Sequence, residues 1–215
     1  MERKRKRVKP KRRYDATGRQ AQAERTRADA LECAEELFLA QGYAATTIAS
    51  IAAAAGVSVE TIYKGFGGKP GLVRAIRDRR LAGRGPVHAE TRSNRMRAKE
   101  TDPRRLVAQW GQFSVEVAPL VSPILLLVRE AAASDDEMAE LLEELDADRL
   151  RRMTVNARHL RDGGHLRAGV SLREAADALW TYTSPELYEL LVLRRKWPVE
   201  RYGRFVADGV AAALL

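Results

Sequence analysis

The sequence is short of the residues that form covalent cross-links and metal sites. It contains one cysteine, Cys33, so it cannot form an internal disulfide, and such usage is typical of a reducing compartment such as the cytoplasm. Its three histidines, His88, His159 and His165, share no spacing with one another, with carboxylates or with Cys33 that is typical of a metal site. No nucleophile–base pair stands out either. We therefore predict no metal, no cofactor and no enzymatic activity.

Long apolar runs and strand-like segments are also missing. No run of apolar residues reaches the roughly 18–20 that cross a bilayer, so we predict no membrane span. The basic residues at the start lead into no apolar segment, so we expect no secretory signal. Hydrophobic residues still make up 45% of the chain, which is typical of a globular protein with a sizeable core.

What is present is helical periodicity. Apolar residues recur at helical spacing, and no segment alternates in the manner of a strand. Ser134 with Glu137 and Ser171 with Glu174 fit the capping box at a helix start. Three further capping residues each precede a proline: Asp102, Ser122 and Ser184. We predict an all-α fold with helices at 22–41, 47–54, 58–64, 69–82, 103–117, 122–132, 135–162, 171–183, 185–195 and 198–214, with a mixed connection over 83–103.

Positive charge is concentrated at one end of the chain. Residues 1–13 hold nine Lys or Arg and one Glu, a net charge of +8, whereas the remaining residues hold 29 basic and 28 acidic side chains. Such a run repels itself, stays solvated and favours polyanions. Two interpretations remain open, a solubilising tail or an arm that contacts nucleic-acid phosphates or the minor groove.

The glycine-rich stretch GVSVETIYKGFGGK (56–69) can be compared with a phosphate-binding loop. Such a loop needs Gly, four residues and then Gly-Lys-Ser/Thr. Tyr63 stands where the first Gly is required, and Pro70 stands where the hydroxyl is required. No apolar strand precedes the stretch, so we exclude a nucleotide-binding loop.

The same stretch fits a helix-turn-helix. Residues 48–55 carry one apolar stripe, Gly56 permits the left-handed conformation of a tight turn, and Ser58 is a helix cap. In the next helix Ile62 and Phe66 continue the buried face, which leaves a polar outer face. Two short helices around such a turn suit the DNA major groove, although any packed helix pair can show this spacing.

The run TTIASIAAAAGVSVETIYKGFGGKPGL (46–72) resembles the signature of the TetR family of transcriptional regulators, and residues 30–47 resemble that family's first helix and Gly-Tyr turn. The resemblance covers about residues 22–76 and continues more weakly to the end. It implies an N-terminal three-helix DNA-binding head with a linking fourth helix, and a larger helical body. We accordingly divide the chain into a basic flexible arm (1–19), a helix-turn-helix DNA-binding domain (20–82) and a ligand-binding and dimerisation domain (83–215).

Position by position, the resemblance implies a set of DNA contacts. Thr47, Tyr63 and Lys69 match phosphate contacts of the family, and a helix N-terminus such as that at Lys69 also attracts anions. Helical spacing puts on the outer face of the recognition helix Ser58, Val59, Glu60, Thr61, Tyr63 and Lys64, and the resemblance implies that the first four face the bases.

Two positions depart from the family pattern. Many members carry Gly where Glu60 stands, and an imidazole or phenol where Gly65 stands, so Gly65 lacks that phosphate contact. Glu60 is a negative charge near DNA. It either accepts a hydrogen bond from a cytosine amino group or pairs with Lys64 at i+4, and we favour the pair.

Aromatic and large apolar residues cluster in the body helices. Most of them are expected in an ordinary core, but the resemblance implies a cavity for a small, mainly apolar ligand. The residues that we expect to line this cavity are Trp110, Phe113, Val117 and Trp180.

The last two helices carry a wide apolar stripe with small residues. They resemble the pair of helices that each subunit of the family contributes to a four-helix dimer interface, and burial within one subunit is the alternative. The interface residues that we expect are Leu187, Leu191, Phe205 and Val210.

These observations predict a cytoplasmic, homodimeric transcriptional regulator that binds a double-stranded DNA operator. A repressor that a small-molecule effector releases from DNA is the expected mode of action. Two alternatives are kept: an architectural, non-specific DNA-binding protein driven by the basic arm, and an enzyme acting on an apolar substrate, which is the less favoured of the two.

Overall fold

The chain is described by a computed structural model over residues 16–83 and 87–215, and within these ranges it is helical with no strand. The all-α prediction is therefore confirmed. The charged run of the predicted arm, residues 1–13, lies outside the described residues. The helices are α1 (Ala16–Gln41), α2 (Ile48–Ala54), α3 (Val59–Phe66), α4 (Lys69–Ala82), α5 (Ala89–Lys99), α6 (Pro103–Ala131), α7 (Asp136–Asp162), α8 (Leu172–Tyr182), α9 (Pro185–Tyr188), which continues as a π-helical segment (Glu189–Arg194), and α10 (Val199–Leu214).

Side-chain caps begin most of these helices where local chemistry predicts. Ser171 and Glu174 form the expected capping box on α8, and Ser184 caps α9 by accepting from the backbone N–H of Leu187 at 3.1 Å. The start of α7 differs from the prediction, because Asp135 and not Ser134 accepts the capping hydrogen bond. Both residues are good caps, and the fold selects the one nearer the helix.

The helix α6 corrects one sequence-based expectation. The Ser122–Pro123 pair does not begin a helix, because α6 continues through both Pro119 and Pro123. As one uninterrupted helix it is long and apolar enough, by length and composition, to cross a membrane, a test that the core helix of a globular protein can also pass. In this fold α6 is the central helix of the body and packs against α4, α7, α9 and α10.

Two apolar cores hold the fold together. The first joins α1–α4 to the last turns of α6 and the first half of α7, so it crosses the predicted domain boundary near residue 83. The second fills the body between the N-terminal half of α6, the end of α7, and helices α8–α10. Because α6 belongs to both cores, it ties the N-terminal helices to the body.

The helices α6 and α10 approach most closely at two glycines. A Cβ atom added to Gly111 would collide with the backbone of Gly203, and one added to Gly203 would collide with Val115. Backbones this close leave no room for a side chain, so both positions require glycine for a steric reason.

Candidate functional site

The turn between α2 and α3 has the geometry that the sequence predicts. Thr47 begins α2 with a capping box that it shares with Ser50. Gly56 then adopts φ +65°, in the left-handed region that favours glycine. Val57 packs against the first core, and the Ser58 hydroxyl accepts from the backbone N–H of Thr61 at 3.1 Å to begin α3. The result is a short helix held at a defined angle by local chemistry.

The outer face of α3 is exposed in the described part of the chain. Ile62 is fully buried beneath it, whereas Val59, Thr61 and Lys64 are exposed and Tyr63 is 53% exposed. Phe66 is half-buried against the first core. An amphipathic helix with an exposed polar face of this length fits the width of a DNA major groove.

Glu60 does not form the ion pair that we favoured from the sequence. Both Glu60 and Lys64 are exposed, and no salt bridge joins them in the described part of the chain. The i+4 spacing permits the pair, but two solvated side chains gain little from it. The Glu60 carboxylate is therefore presented on the outer face with the polar side chains around it.

Lys69 at the start of α4 is turned toward the α1–α2 connection. Its Nζ donates to the backbone oxygen of Tyr43 at 2.6 Å and lies 3.9 Å from the centroid of the Tyr43 ring. Partial burial lowers the pKa of Lys69, while nearby Asp135 opposes that shift. An ammonium group has three donors, so this contact leaves two for a phosphate.

Arg27 reaches from α1 to the end of α3. Its Nη1 donates to the backbone oxygen of Gly65 at 2.5 Å, and its guanidinium lies 4.1 Å from the centroid of the Phe66 ring. A cation there complements the partial negative charge at a helix C-terminus. Arg27 is exposed, so its charge occupies the surface beside Gly65, the position without a side chain.

The helix α4 connects this surface to the rest of the molecule through ion pairs. Arg79 and Arg80 both bind Glu35 of α1, at 2.6 and 2.5 Å. Arg74 pairs with Glu144 of α7 in a two-pronged contact at 2.5 and 3.1 Å. A further pair, also between α4 and α7, joins Arg77 Nη2 to Asp148 Oδ2 at 3.2 Å. These ion pairs link α4, whose N-terminus carries Lys69, directly to α1 and α7.

A cavity of about 450 Å³ lies inside the body, with α4, α5, α6, α7, α8 and α10 around it. Its wall along α6 runs from Val107 to Leu125. A volume in this range suits a small organic molecule. Among the described residues no group of three or more His, Cys, Asp and Glu side chains is placed to hold a metal ion.

Comparison with known proteins places the N-terminal helices in a family. Residues 30–76, from α1 into α4, match the family model of bacterial regulatory proteins of the tetR family. The transcriptional regulator TtgR of Pseudomonas putida is 40% identical over 81 residues, which are 38% of this chain and 35% of TtgR. The resemblance to the TetR family is thus confirmed for residues 30–76. The match spans only about a third of the length of this curated relative.

Solved structures extend the likeness from these residues to most of the fold. The protein of a SmeT–triclosan complex superposes with a TM-score of 0.69 at 24% identity, over 88% of this chain and 91% of that one. NalD, the secondary repressor of the MexAB-OprM multidrug efflux pump in Pseudomonas aeruginosa, gives a TM-score of 0.70 at 20% identity, over 90% and 98% of the two chains. At these identities the likeness shows the fold alone.

The cavity includes three of the four residues that we expected to line it. Trp110, Phe113 and Val117 line the wall on α6. Trp180 does not, because Arg149 covers it: the Arg149 guanidinium lies 4.3 Å from its ring and donates to its backbone oxygen at 2.6 Å. Trp180 therefore belongs to the packing behind the cavity.

The predicted interface residues do not share one environment. Phe205 is 38% exposed, and Leu187 and Leu191 are half-buried on the α9 side. Val210 is only 2% exposed within the single chain and lines the cavity, so it cannot belong to the same outer face. Two leucines that we did not predict, Leu190 and Leu193, are exposed on the π-helical segment.

Several charged residues near the recognition helix and the cavity were not predicted from the sequence. Arg27 was missed because its neighbour Gly65 lies 38 positions away and only the packing of α1 on α3 joins them. The charged side chains in the cavity wall were missed because arginines on a long helix ordinarily face solvent. The one local signal was the lack of a side chain at Gly65, because it leaves room on the surface for the Arg27 guanidinium.

Proposed function

We propose that the chain is a homodimeric DNA-binding transcriptional regulator that acts in the cytoplasm, as a repressor that a small molecule in the cavity releases from its operator. The observation that carries this proposal is the unpacked outer face of α3, held in place by the Gly56 turn and the Ser58 cap. Its N-terminal side chains would contact base edges, while Thr47, Tyr63 and Lys69 would contact phosphates and set the register.

Release from DNA would be geometric. Two recognition helices of a dimer must enter successive major grooves about 34 Å apart. The ion pairs between α4 and α7 couple the cavity wall to the helix that carries Lys69. The dimer would exist in equilibrium between a form whose α3 helices have this spacing and a form whose α3 helices do not. A ligand would shift that equilibrium only if it binds the two forms with different affinities. The repressor NalD and the triclosan complex of SmeT share this fold, which supports a ligand-responsive repressor.

The dimer would form through the exposed apolar surface of the last helices. Phe205 packs edge-on to Tyr182 and Trp197 and remains partly exposed. Leu190 and Leu193 are exposed on the π-helical segment that precedes Trp197. An apolar surface of this kind is typical of a protein–protein contact.

Footprinting on the DNA that flanks the gene of this protein tests the proposal. We expect protection of a discrete, roughly palindromic site, because the two-fold symmetry of a dimer is mirrored in its operator. Tyr63→Phe removes only a hydroxyl, and should weaken binding to operator and unrelated DNA alike. Lys99→Ala, which removes an exposed lysine on α5, is the matched control and should leave binding unchanged. If the Tyr63 variant binds with wild-type strength, the assignment of this residue is wrong.

The basic run of residues 1–13 keeps the architectural alternative open, since it carries a net charge of +8. If it is an arm that contacts phosphates, its deletion should flatten the dependence of log K on log salt, because fewer counterions are released. An unchanged slope would make it a solubilising tail. Protection spread evenly over all DNA, lost on deletion, would instead favour an architectural protein.

A further inference from the structure

The cavity wall is more basic than a purely apolar ligand requires. Besides its apolar majority it contains an excess of cationic over anionic side chains: Arg77, Arg149, Arg151 and Arg152 against Glu90 and Asp148. Burial lowers the pKa of both Arg149 and Arg152, since part of their hydration is lost. An anion would be stabilised by this wall, whereas a second cation would be repelled.

Arg77 is the arginine of this wall with a buried donor that no described residue satisfies. Its side chain is only 14% exposed, and its Nη atoms contact Asp78 at 3.1 Å and Asp148 at 3.2 Å. Its Nε is buried and has no hydrogen-bond partner in the described part of the molecule. Asp148 is also shared with Arg151, so one carboxylate serves two guanidinium groups.

Trp110 provides a second donor without an acceptor. It is 7% exposed, it lines the cavity, and its Nε1 has no hydrogen-bond partner within residues 16–83 and 87–215. The nearby hydroxyls of Ser114 and Thr183 donate to backbone oxygens of their own helices. Buried donors are normally satisfied, so the wall offers donors to a ligand that brings acceptors.

The cavity is also elongated. Its wall follows α6 from Val107 to Leu125, which spans roughly 27 Å at 1.5 Å per residue. Arg77 lies on α4, which packs on α6, and Asp148 faces it from α7. The rest of the wall along α6 is mainly apolar, with Phe113 and Val117 among the lining residues.

We propose that the ligand of this cavity is an elongated amphipathic anion, and that its acidic group binds the guanidinium of Arg77 in competition with Asp148. The inference rests on the proposed function and adds the chemical class of the effector. Because Arg77 belongs to α4 and Asp148 to α7, the anion replaces an ion pair between these helices. That replacement gives the ligand different affinities for the two arrangements of α4, as release from DNA requires.

Three probes of equal length test the charge preference: decanoate, decanol and decylammonium, titrated calorimetrically into the full chain below the concentrations at which they aggregate. We expect decanoate to bind about tenfold or more tightly than decanol, because hydrogen bonds to charged groups are the stronger ones. Decylammonium should bind most weakly. Decanoate, and not decanol, should weaken the DNA footprint.

Two variants separate binding at Arg77 from general damage. Arg77→Gln should bring the decanoate-to-decanol preference close to one, while its affinity for decanol shows that the cavity is intact. Asp148→Asn should tighten decanoate binding and leave decanol unchanged, because it removes the competing carboxylate. Simple structural damage would weaken both probes together.

Arg151→Gln is the control for diffuse positive charge, since Arg151 shares Asp148 but is 70% exposed. If this variant loses the decanoate preference as fully as the Arg77 variant, the assignment to Arg77 is overturned. Equal binding of decanol and decanoate, or weaker decanoate binding by Asp148→Asn, also overturns it. A chain that binds no probe but keeps its footprint would refute this ligand class and leave the DNA-binding function standing. If the unmodified chain gave no footprint in the absence of any probe, the proposed DNA-binding function itself would be refuted.

Discussion

At the scale of single residues, buried charge is concentrated where helices must hold their relative positions. Glu35 of α1 is only 3% exposed, and each of its carboxylate oxygens accepts from an arginine of α4, Arg79 or Arg80. A buried carboxylate is tolerated when both oxygens are paired. The contact therefore fixes α4 against α1 at the end opposite to Lys69.

Glu35→Gln should destabilise the fold by about 1–3 kcal/mol, below the usual cost of breaking a buried ion pair, because both arginines remain about a third exposed. Denaturant unfolding followed by circular dichroism measures the change. The neighbouring Glu36→Gln, at an exposed position of the same helix, should stay within about 0.5 kcal/mol. Equal effects of the two variants would contradict a structural role for Glu35.

Glu60 has a different role because nothing in the described chain neutralises it. We expect its carboxylate to accept from a cytosine amino group, so Glu60→Gln should relax the preference at one C·G pair by about 1–3 kcal/mol. Binding to a set of operators mutated base by base measures this. A uniform gain in affinity for every sequence would show that Glu60 only repels phosphates.

At the scale of elements, the position of the outer face of α3 depends on the sharp turn between α2 and α3. Gly56 has φ +65° and open space around its Cα, so only backbone strain resists a side chain there. Gly65 lies within α3, and an added Cβ would meet only the Arg27 guanidinium, at 3.6 Å. The two glycines therefore have opposite expected responses to the same substitution.

Gly56→Ala should destabilise the fold by about 1–2 kcal/mol, the cost of a left-handed residue with a side chain. Gly65→Ala should be neutral or stabilising by up to about 1 kcal/mol, because alanine favours the helix. Thermal unfolding of the two variants side by side measures both effects. Destabilisation by Gly65→Ala larger than that by Gly56→Ala would contradict the turn geometry.

At the scale of the whole molecule, the last helices carry large apolar side chains that the described residues leave exposed. Phe205, Leu190 and Leu193 are between 38% and 50% exposed there. The long helix α6 lies behind them and ties the body to the N-terminal helices, so a partner on this surface would fix the separation of the two α3 helices.

Phe205→Glu should convert a dimer into a species with the 24.0 kDa mass of one chain, because a carboxylate is costly in an apolar interface. Light scattering after size exclusion measures the mass. Leu150→Glu, at a similarly exposed leucine on α7, is the control and should leave the mass unchanged. If the Phe205 variant remains a dimer, the interface lies elsewhere.

The features that the sequence determined by itself are those built from neighbouring residues. Helical periodicity, the Gly56 turn, the Ser58 cap and the Ser171 capping box each depend on residues a few positions apart. The outer face of α3 follows from the same local rules, because Ile62 identifies the buried side of a short helix.

Tertiary packing alone decided the rest. It kept α6 continuous through Pro119 and Pro123, where local rules predict a break, because helices on several sides hold it. It also paired Arg77 with Asp148, 71 positions away, and placed Arg149 over Trp180. Contacts between distant residues depend on how whole helices pack, and periodicity within one helix does not contain that information.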